Sequence, residues 1–135
     1  MLLAVSLFRE IYDVRCAACG IRFFFEDIDL IDAAHLVPFS QTQDDRPQNG
    51  IALCKNHHWL MDHNIIVPGP GRGQNYQRPM WHVRKGLDDR FEEHKPVLEL
   101  KHRSVILPAE SRYTPSREGL EWRMERLRAE EGTPS

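Results

Sequence analysis

The segments CAAC at residues 16–19 and CKNH at residues 54–57 each carry two potential metal ligands separated by two residues. Three thiolates and one imidazole in this pattern are typical of a closed, structural zinc site. One alternative is three free cysteines with a surface histidine. A redox-active cysteine pair is another, although the strand-then-helix context of such a pair is absent here. The predicted zinc ligands are Cys16, Cys19, Cys54 and His57.

A second group of polar side chains lies around the same segments. His58 directly follows a predicted zinc ligand, and Asp62 comes four residues later on a predicted helix, so the two share one helix face. A histidine and a carboxylate so placed form half a site for a hard divalent cation, with positions open for water and phosphate. A single histidine is more often structural. The hypothesis therefore depends on the order of His35, Asn49 and His58 around one zinc knuckle.

This order resembles the HNH endonucleases of the ββα-metal (His-Me) finger superfamily. The matching text is CAAC, then LIDAAHLVPFS at residues 30–40, then QNGIALCKNHHWLMDHNII at residues 48–66. The resemblance implies an α+β fold, in which a ββα-metal core stapled by a structural zinc carries an N-terminal helix and a C-terminal β/α extension. The C-terminal part is more weakly similar to the segment after the core in restriction-type members, notably those of modification-dependent systems.

The resemblance also implies roles for individual residues. His35 matches the general base that deprotonates a water, and Asn49 matches the residue that orients this base. His58 matches a ligand of the catalytic metal, and Asp62 falls where some members have a further ligand. The chain departs from the family at Ala34, where many members have a ligand. Asp32 shares the strand face of Ala34 and is a candidate replacement.

The function that the resemblance implies is a metal-dependent DNA endonuclease, the cleavage module of a restriction system, with modification-dependent restriction as one form of it. It would hydrolyse phosphodiester bonds, leaving a 5′-phosphate and a 3′-hydroxyl, with Mg²⁺, Mn²⁺ or another divalent ion. The expected partners are DNA, a second copy in a homodimer, and a fused or separate specificity domain. Two alternatives remain open: a zinc knuckle that binds nucleic acid without chemistry, and a degenerate homologue.

Length and composition restrict the class of protein. The 135 residues suit one domain, and 18 basic against 20 acidic side chains give a net charge of −2. This balance argues against strong autonomous DNA binding, which needs clustered basic residues. No apolar run is long enough to span a bilayer, so we expect no membrane association. Three cysteines without a secretion signal suggest a reducing, cytoplasmic location.

The DNA contacts are expected from basic side chains, although each one singly is more often a solvated surface charge. The candidates are Arg46, Lys55, Arg72 and Arg78. Trp59 and Trp81 could stack on bases, but the inward face of a helix or strand makes them core candidates.

The single domain spanning residues 1–135 is expected to have three parts. Residues 1–15 form an N-terminal helix with Leu3, Leu7, Ile11 and Val14 on its apolar face, residues 16–66 the zinc-stapled core, and residues 67–135 further strands and a helix. The remaining predictions concern secondary structure. We expect a hairpin of strands 21–26 and 28–36, a further strand at 51–53, and a helix at 55–63 with Trp59 and Leu60 inward. A mobile loop should follow at 68–73, with strands at 81–83 and 97–107 after it. The last element is a helix capped at Thr114, with Leu120, Met124 and Leu127 on its apolar face.

Overall fold

The computed structural model describes residues 10–22, 24–26 and 28–132. The fold is α+β: three two-stranded antiparallel sheets and helices around a main core, with a smaller hydrophobic cluster of Val67, Met124 and Leu127. The strands are β1 (Phe24–Phe25), β2 (Ile28–Asp29), β3 (Ile31–His35), β4 (Gly50–Cys54), β5 (Ile66–Gly71) and β6 (Asn75–Val83). The helices are α1 (Phe39–Thr42), α2 (Lys55–Asp62), α3 (Lys95–Leu98) and α4 (Arg117–Glu130), with 3₁₀ turns at Pro47–Asn49, Glu92–His94 and Ser111–Tyr113.

The ββα core consists of β3, β4 and α2. Strand β3 pairs with β4 from Ile31 opposite Cys54 to His35 opposite Gly50, and α2 begins at the next residue, Lys55. All five residues of β4 are buried, so this strand needs a partner along its whole length. The predicted hairpin of residues 21–26 with 28–36 is therefore wrong for most of its length, since only β1 and β2 pair there.

The segment PGPGRG, predicted as a mobile loop, is mostly strand β5. Residues 66–71 are buried and pair with β6, with a register shift between Gly69 and Gly71. A Cβ at Gly71 would collide with the backbone carbonyl of Arg78, and one at Gly69 would lie 2.5 Å from Met124. Gly71 permits the close approach of the β5 and β6 backbones, and Gly69 permits that of Met124. The glycines are therefore needed for packing and not for flexibility.

The predicted strand at residues 97–107 is wrong in its first half. Residues 95–98 are helix α3, because Pro96 stands at the start of a helical turn. Only the end of the segment runs beside β6, where Ser104 bridges Met80 and the amide of Val105 donates to the carbonyl of Pro79 at 3.0 Å. The predicted strand at 81–83 is confirmed as the end of β6, and Trp81 is fully buried.

Helix α4 packs on β5 with the apolar face predicted from the sequence. Leu120, Met124 and Leu127 are all buried. The N-cap, however, is Ser116 and not Thr114, because the Ser116 hydroxyl accepts a hydrogen bond from the amide of Gly119 at 3.1 Å.

The predicted N-terminal helix is described only in part. Residues 1–9, including Leu3 and Leu7, lie outside the described residues, and residues 10–12 are helical. The helix ends before Val14, because Asp13 and Val14 adopt positive φ angles of 55° and 54°. No helix in the described part of the chain is long and apolar enough to cross a membrane.

Candidate active site and metal centre

The four cysteine and histidine side chains predicted to bind zinc converge on one point. Their ligand atoms all lie within 4.8 Å of one another. Cys16 and Cys19 flank a tight turn, while Cys54 ends β4 and His57 lies in the first turn of α2. The Nδ1 atom of His57 lies 3.1 Å from the Sγ of Cys54.

The chemistry of this group suits a zinc ion. Hydrogen bonding from Cys54, together with that from His57, lowers the pKa of the Cys16 thiol to about 3 despite its burial. The same contact and burial raise the pKa of Cys54, and burial raises that of Cys19. Three thiols and one imidazole at this separation form a Cys₃His set, which prefers zinc at tetrahedral geometry. The cluster could therefore hold a zinc that joins the residue 16–19 turn to α2.

A separate cleft of about 250 Å³ lies between the end of β3 and α2. His35 enters it from the last residue of β3, and His58 and Asp62 enter it from α2. The structure thus brings three of the predicted site residues to one cleft. Its lining residues are Ala33, Ala34, His35, Pro38, Phe39, His58, Asp62 and Arg123.

His35 has a carboxylate partner that the sequence analysis did not identify. Its Nε2 lies 3.3 Å from Oδ1 of Asp45, and its ring packs against Phe39 at a centroid distance of 5.7 Å. The His35 side chain is 21% exposed, so the imidazole is held by neighbours yet accessible to solvent. Asp45 lies in the short polar segment between α1 and the 3₁₀ turn at Pro47–Asn49, where nothing in the local pattern distinguishes it from Asp44.

Asn49 ties this loop to the strand that carries His35. It is almost fully buried, and its side-chain oxygen accepts a hydrogen bond from the amide of Val37 at 2.9 Å. Its side-chain nitrogen donates to the carbonyls of Val37 at 3.0 Å and Asp44 at 2.9 Å. Its own carbonyl accepts from the amide of Leu36 at 2.9 Å. All of these bonds fall within two residues of either His35 or Asp45 and restrict both ends of the loop.

His58 lies between two carboxylates. Its Nδ1 is 2.9 Å from Oδ2 of Asp32, and its Nε2 is 3.5 Å from Oδ2 of Asp62. Asp32 also forms an ion pair with Lys55. Burial works to raise the pKa of Asp32, but hydrogen bonds from His58 and Lys55 outweigh it and lower that pKa. Asp32 thus contacts the histidine from behind and is not among the residues that line the cleft, whereas Asp62 is.

The predicted DNA-contacting residues do not line this cleft. Arg46 is paired with Asp44 at 2.8 Å, and Lys55 is paired with Asp32. Arg72 lies in the turn between β5 and β6, and Arg78 lies on β6, both exposed.

The prediction that Trp59 faces inward is wrong. Trp59 is 56% exposed, and its ring stacks on the His63 ring at a centroid distance of 4.0 Å. Met61, and not Trp59, is the fully buried residue of α2. Trp81 is core, as expected, and its indole donates to the carbonyl of Ala17 at 3.1 Å.

Arg123 of α4 is the other residue that sequence reasoning missed. It is 5% exposed, and its guanidinium donates to the carbonyls of Leu36 at 2.7 Å, His35 at 2.9 Å and Met61 at 3.3 Å. One signal could have found it: an arginine within the apolar stripe of Leu120, Met124 and Leu127. A cation on the inward face of a helix needs polar partners, and here they are backbone groups of the candidate site.

Comparisons with known proteins agree with this architecture. Residues 16–67 match the family model described as HNH endonuclease. The fold is similar to a solved structure named "Modification dependent TagI restriction endonuclease", with a TM-score of 0.58 and 17% sequence identity over 88% of this chain and 35% of that one. The present chain therefore corresponds to about a third of the length of that structure. No curated protein sequence matched the chain.

Proposed function

We propose that this chain, whose residues 16–67 match the HNH endonuclease family model, is a metal-dependent DNA endonuclease with His35 as its general base. One observation carries the proposal: His35 and the His58–Asp62 pair converge on one cleft, separate from the Cys₃His group. A zinc knuckle that only binds nucleic acid needs none of these three side chains.

The donor set in the cleft fits a divalent cation. His58 and Asp62 offer an imidazole nitrogen and a carboxylate oxygen 3.5 Å apart, and the open cleft leaves room for water and phosphate oxygens. When bound, such an ion would stabilise negative charge on the phosphate and on the leaving 3′ oxygen. Carboxylate and water oxygens suit Mg²⁺ and Mn²⁺, whereas an imidazole nitrogen suits ions such as Ni²⁺, so this donor set admits several divalent ions.

The residues of the chain supply base and orientation. Asp45 accepts a hydrogen bond from Nε2 of His35, which leaves Nδ1 to take the proton of the attacking water. Asn49 holds the loop that positions both. Asp32 accepts from Nδ1 of His58, so that Nε2 of this ring faces Asp62 and the cleft. With zinc bound, the Cys₃His group would join the residue 16–19 turn to the start of α2.

The biological setting is a proposal that depends on likeness. The similar structure is named as a modification-dependent restriction endonuclease, which supports a restriction role of that kind for this chain. The net charge of −2 supports reliance on a partner domain or a second copy for affinity. We propose residues 1–135 as one nuclease domain acting inside the cell, and we retain Arg46, Lys55, Arg72 and Arg78 as candidate phosphate contacts at its surface.

Cleavage of supercoiled plasmid tests the proposal. The purified chain, with its zinc content measured, is incubated without added ion and with Mg²⁺, Mn²⁺, Co²⁺ or Ni²⁺, on plasmid from a methylating and a non-methylating host. We expect metal-dependent cutting that His35→Ala abolishes and that His63→Ala, an exposed histidine outside the cleft, retains. A preference between the plasmids would support modification dependence. Equal cutting by the His35→Ala variant would contradict the mechanism. No cutting by the zinc-loaded wild-type chain with any of the ions would also contradict it, and would favour a binding module or a degenerate homologue.

A further inference from the structure

A buried arginine lies at the back of the candidate active site. Arg123 lines the cleft with His35, His58 and Asp62. Its three hydrogen bonds go to backbone carbonyls at the end of β3 and in α2. The guanidinium therefore touches both elements that carry the predicted catalytic side chains.

The charge of this guanidinium has no matching anion in the described part of the chain. No carboxylate of those residues lies within ion-pair distance of Arg123, and Asp62 acts on it only from further away. Burial lowers its pKa to about 10, so the group is still protonated at neutral pH. The guanidinium also lies 5.1 Å from the centroid of the Trp122 ring. Burying a cation without a counter-anion costs several kcal/mol, of which carbonyl hydrogen bonds and this ring recover only a part. A protein keeps such a destabilising buried cation most readily where the cation binds an anionic ligand.

The position of Arg123 depends on close helix packing. Gly119, one turn earlier on the same face of α4, lies against Leu36, and a Cβ at this position would be 2.7 Å from Leu36 Cδ1. The absence of that Cβ lets α4 approach the end of β3, where the arginine reaches the carbonyls of His35 and Leu36. Three of the five guanidinium N–H groups donate to backbone carbonyls, which leaves two for a ligand.

We propose that Arg123 binds a non-bridging oxygen of the DNA phosphodiester in this cleft, and that it does so before any divalent ion is present. The inference rests on the proposed function, because the phosphodiester is the substrate of that function. A planar guanidinium presents paired N–H donors that match phosphate oxygens, which a lysine ammonium does not. Arg123 thus supplies a fixed positive charge in the cleft of a chain whose net charge is −2.

A purely structural role for Arg123 makes a different prediction. An arginine that only links α4 to the site would stabilise the fold, and its guanidinium would not respond to phosphate. A phosphate-binding arginine changes its own resonance on binding and contributes to the salt dependence of DNA affinity.

The test uses the wild-type zinc-loaded chain first. Its ¹⁵N-labelled arginine Nε–H resonances are recorded without added divalent ion, during titration with inorganic phosphate and then with a short mixed-sequence duplex. We expect the Arg123 resonance, assigned by its loss in Arg123→Lys, to shift with both probes. An Arg123 resonance unmoved by saturating duplex would overturn the inference.

Duplex affinity at several salt concentrations supplies the second measurement. We expect Arg123→Lys and Arg123→Met to bind about 10-fold or more weakly, with the slope of log affinity against log salt reduced by about 1 for Arg123→Met. Arg126→Met removes the same charge from the exposed face of α4 and should change affinity by less than about 3-fold.

The two proposals fail in different ways. Metal-dependent cutting with an unresponsive Arg123 would refute only the role of the arginine. A resonance that shifts with phosphate and duplex in a chain that never cuts would refute only the nuclease. No response to either probe and no cutting would refute both.

Discussion

Replacement of Asp32 by asparagine tests how His58 is held for metal binding. The variant keeps the shape of the side chain and removes its charge, so Nδ1 of His58 loses a carboxylate acceptor at 2.9 Å. Loss of such a partner behind a metal-binding histidine costs about 10- to 100-fold in metal affinity or activity. The ion pair with Lys55 adds little to this figure, because the Lys55 side chain is 61% exposed.

The expected effect is therefore on the metal dependence of cleavage. We expect the Mn²⁺ concentration for half-maximal cutting by Asp32→Asn to rise about 10- to 100-fold, with most of the activity restored at saturating Mn²⁺. Zinc content should stay at the wild-type value, because Asp32 is not one of the Cys₃His ligands. Asp88→Asn is the matched control, since it removes an arginine-paired carboxylate outside the cleft.

Two results would refute this reasoning. A wild-type metal dependence for Asp32→Asn would mean that the carboxylate does not orient His58. Complete inactivity that no Mn²⁺ concentration restores, in a folded and zinc-loaded protein, would mean that Asp32 itself acts in the chemistry.

Three further predictions concern stability and packing. In Gly119→Ala, higher helix propensity should add about 1 kcal/mol to the free energy of unfolding, while overlap with Leu36 should remove about 1–3 kcal/mol. Denaturant unfolding should therefore show a net loss of stability of up to about 2 kcal/mol. A stabilised variant would contradict the close packing. Cys54→Ser should lower zinc content below one ion per chain and reduce the melting temperature, and an unchanged melting temperature would contradict the stapling role. A hydrogen bond from Arg46 lowers the pKa of Asp44 to about 2. The ionised Asp44 therefore contributes stability above its unfolded pKa of about 4, and this stability is lost as the pH falls toward 2. The acid unfolding curve of Arg46→Ala should show less of this loss, and an unchanged curve would refute the pairing.

The candidate metal ligands could be predicted because short spacing in the chain constrains them directly. A two-residue separation brings Cys16 near Cys19, and Cys54 near His57, whatever the rest of the fold does. The same holds for His58 and Asp62, which share a helix face by periodicity alone.

Strand pairing could not be predicted in this way. The pattern of residues 28–36 suits a strand but contains nothing that identifies the strand it pairs with. In the structure β3 pairs with β4, all five residues of which are buried, and not with residues 21–26. In the same way, the glycines and prolines of residues 68–71 indicate a loop locally, yet contacts with Met124 and Arg78 make them a strand.

The sequence by itself determined the candidate ligand types and their order, since each pair depends on neighbours a few residues apart, whereas local pattern did not determine the pairing of β3 with β4. Only the tertiary structure decided which groups contact the cleft residues: Asp45 at Nε2 of His35, Asp32 at Nδ1 of His58, and Arg123 at the carbonyl of His35. The physical reason is distance along the chain. Arg123 is 88 residues from His35, and its contact depends on how α4 packs on distant strands, which no local periodicity encodes.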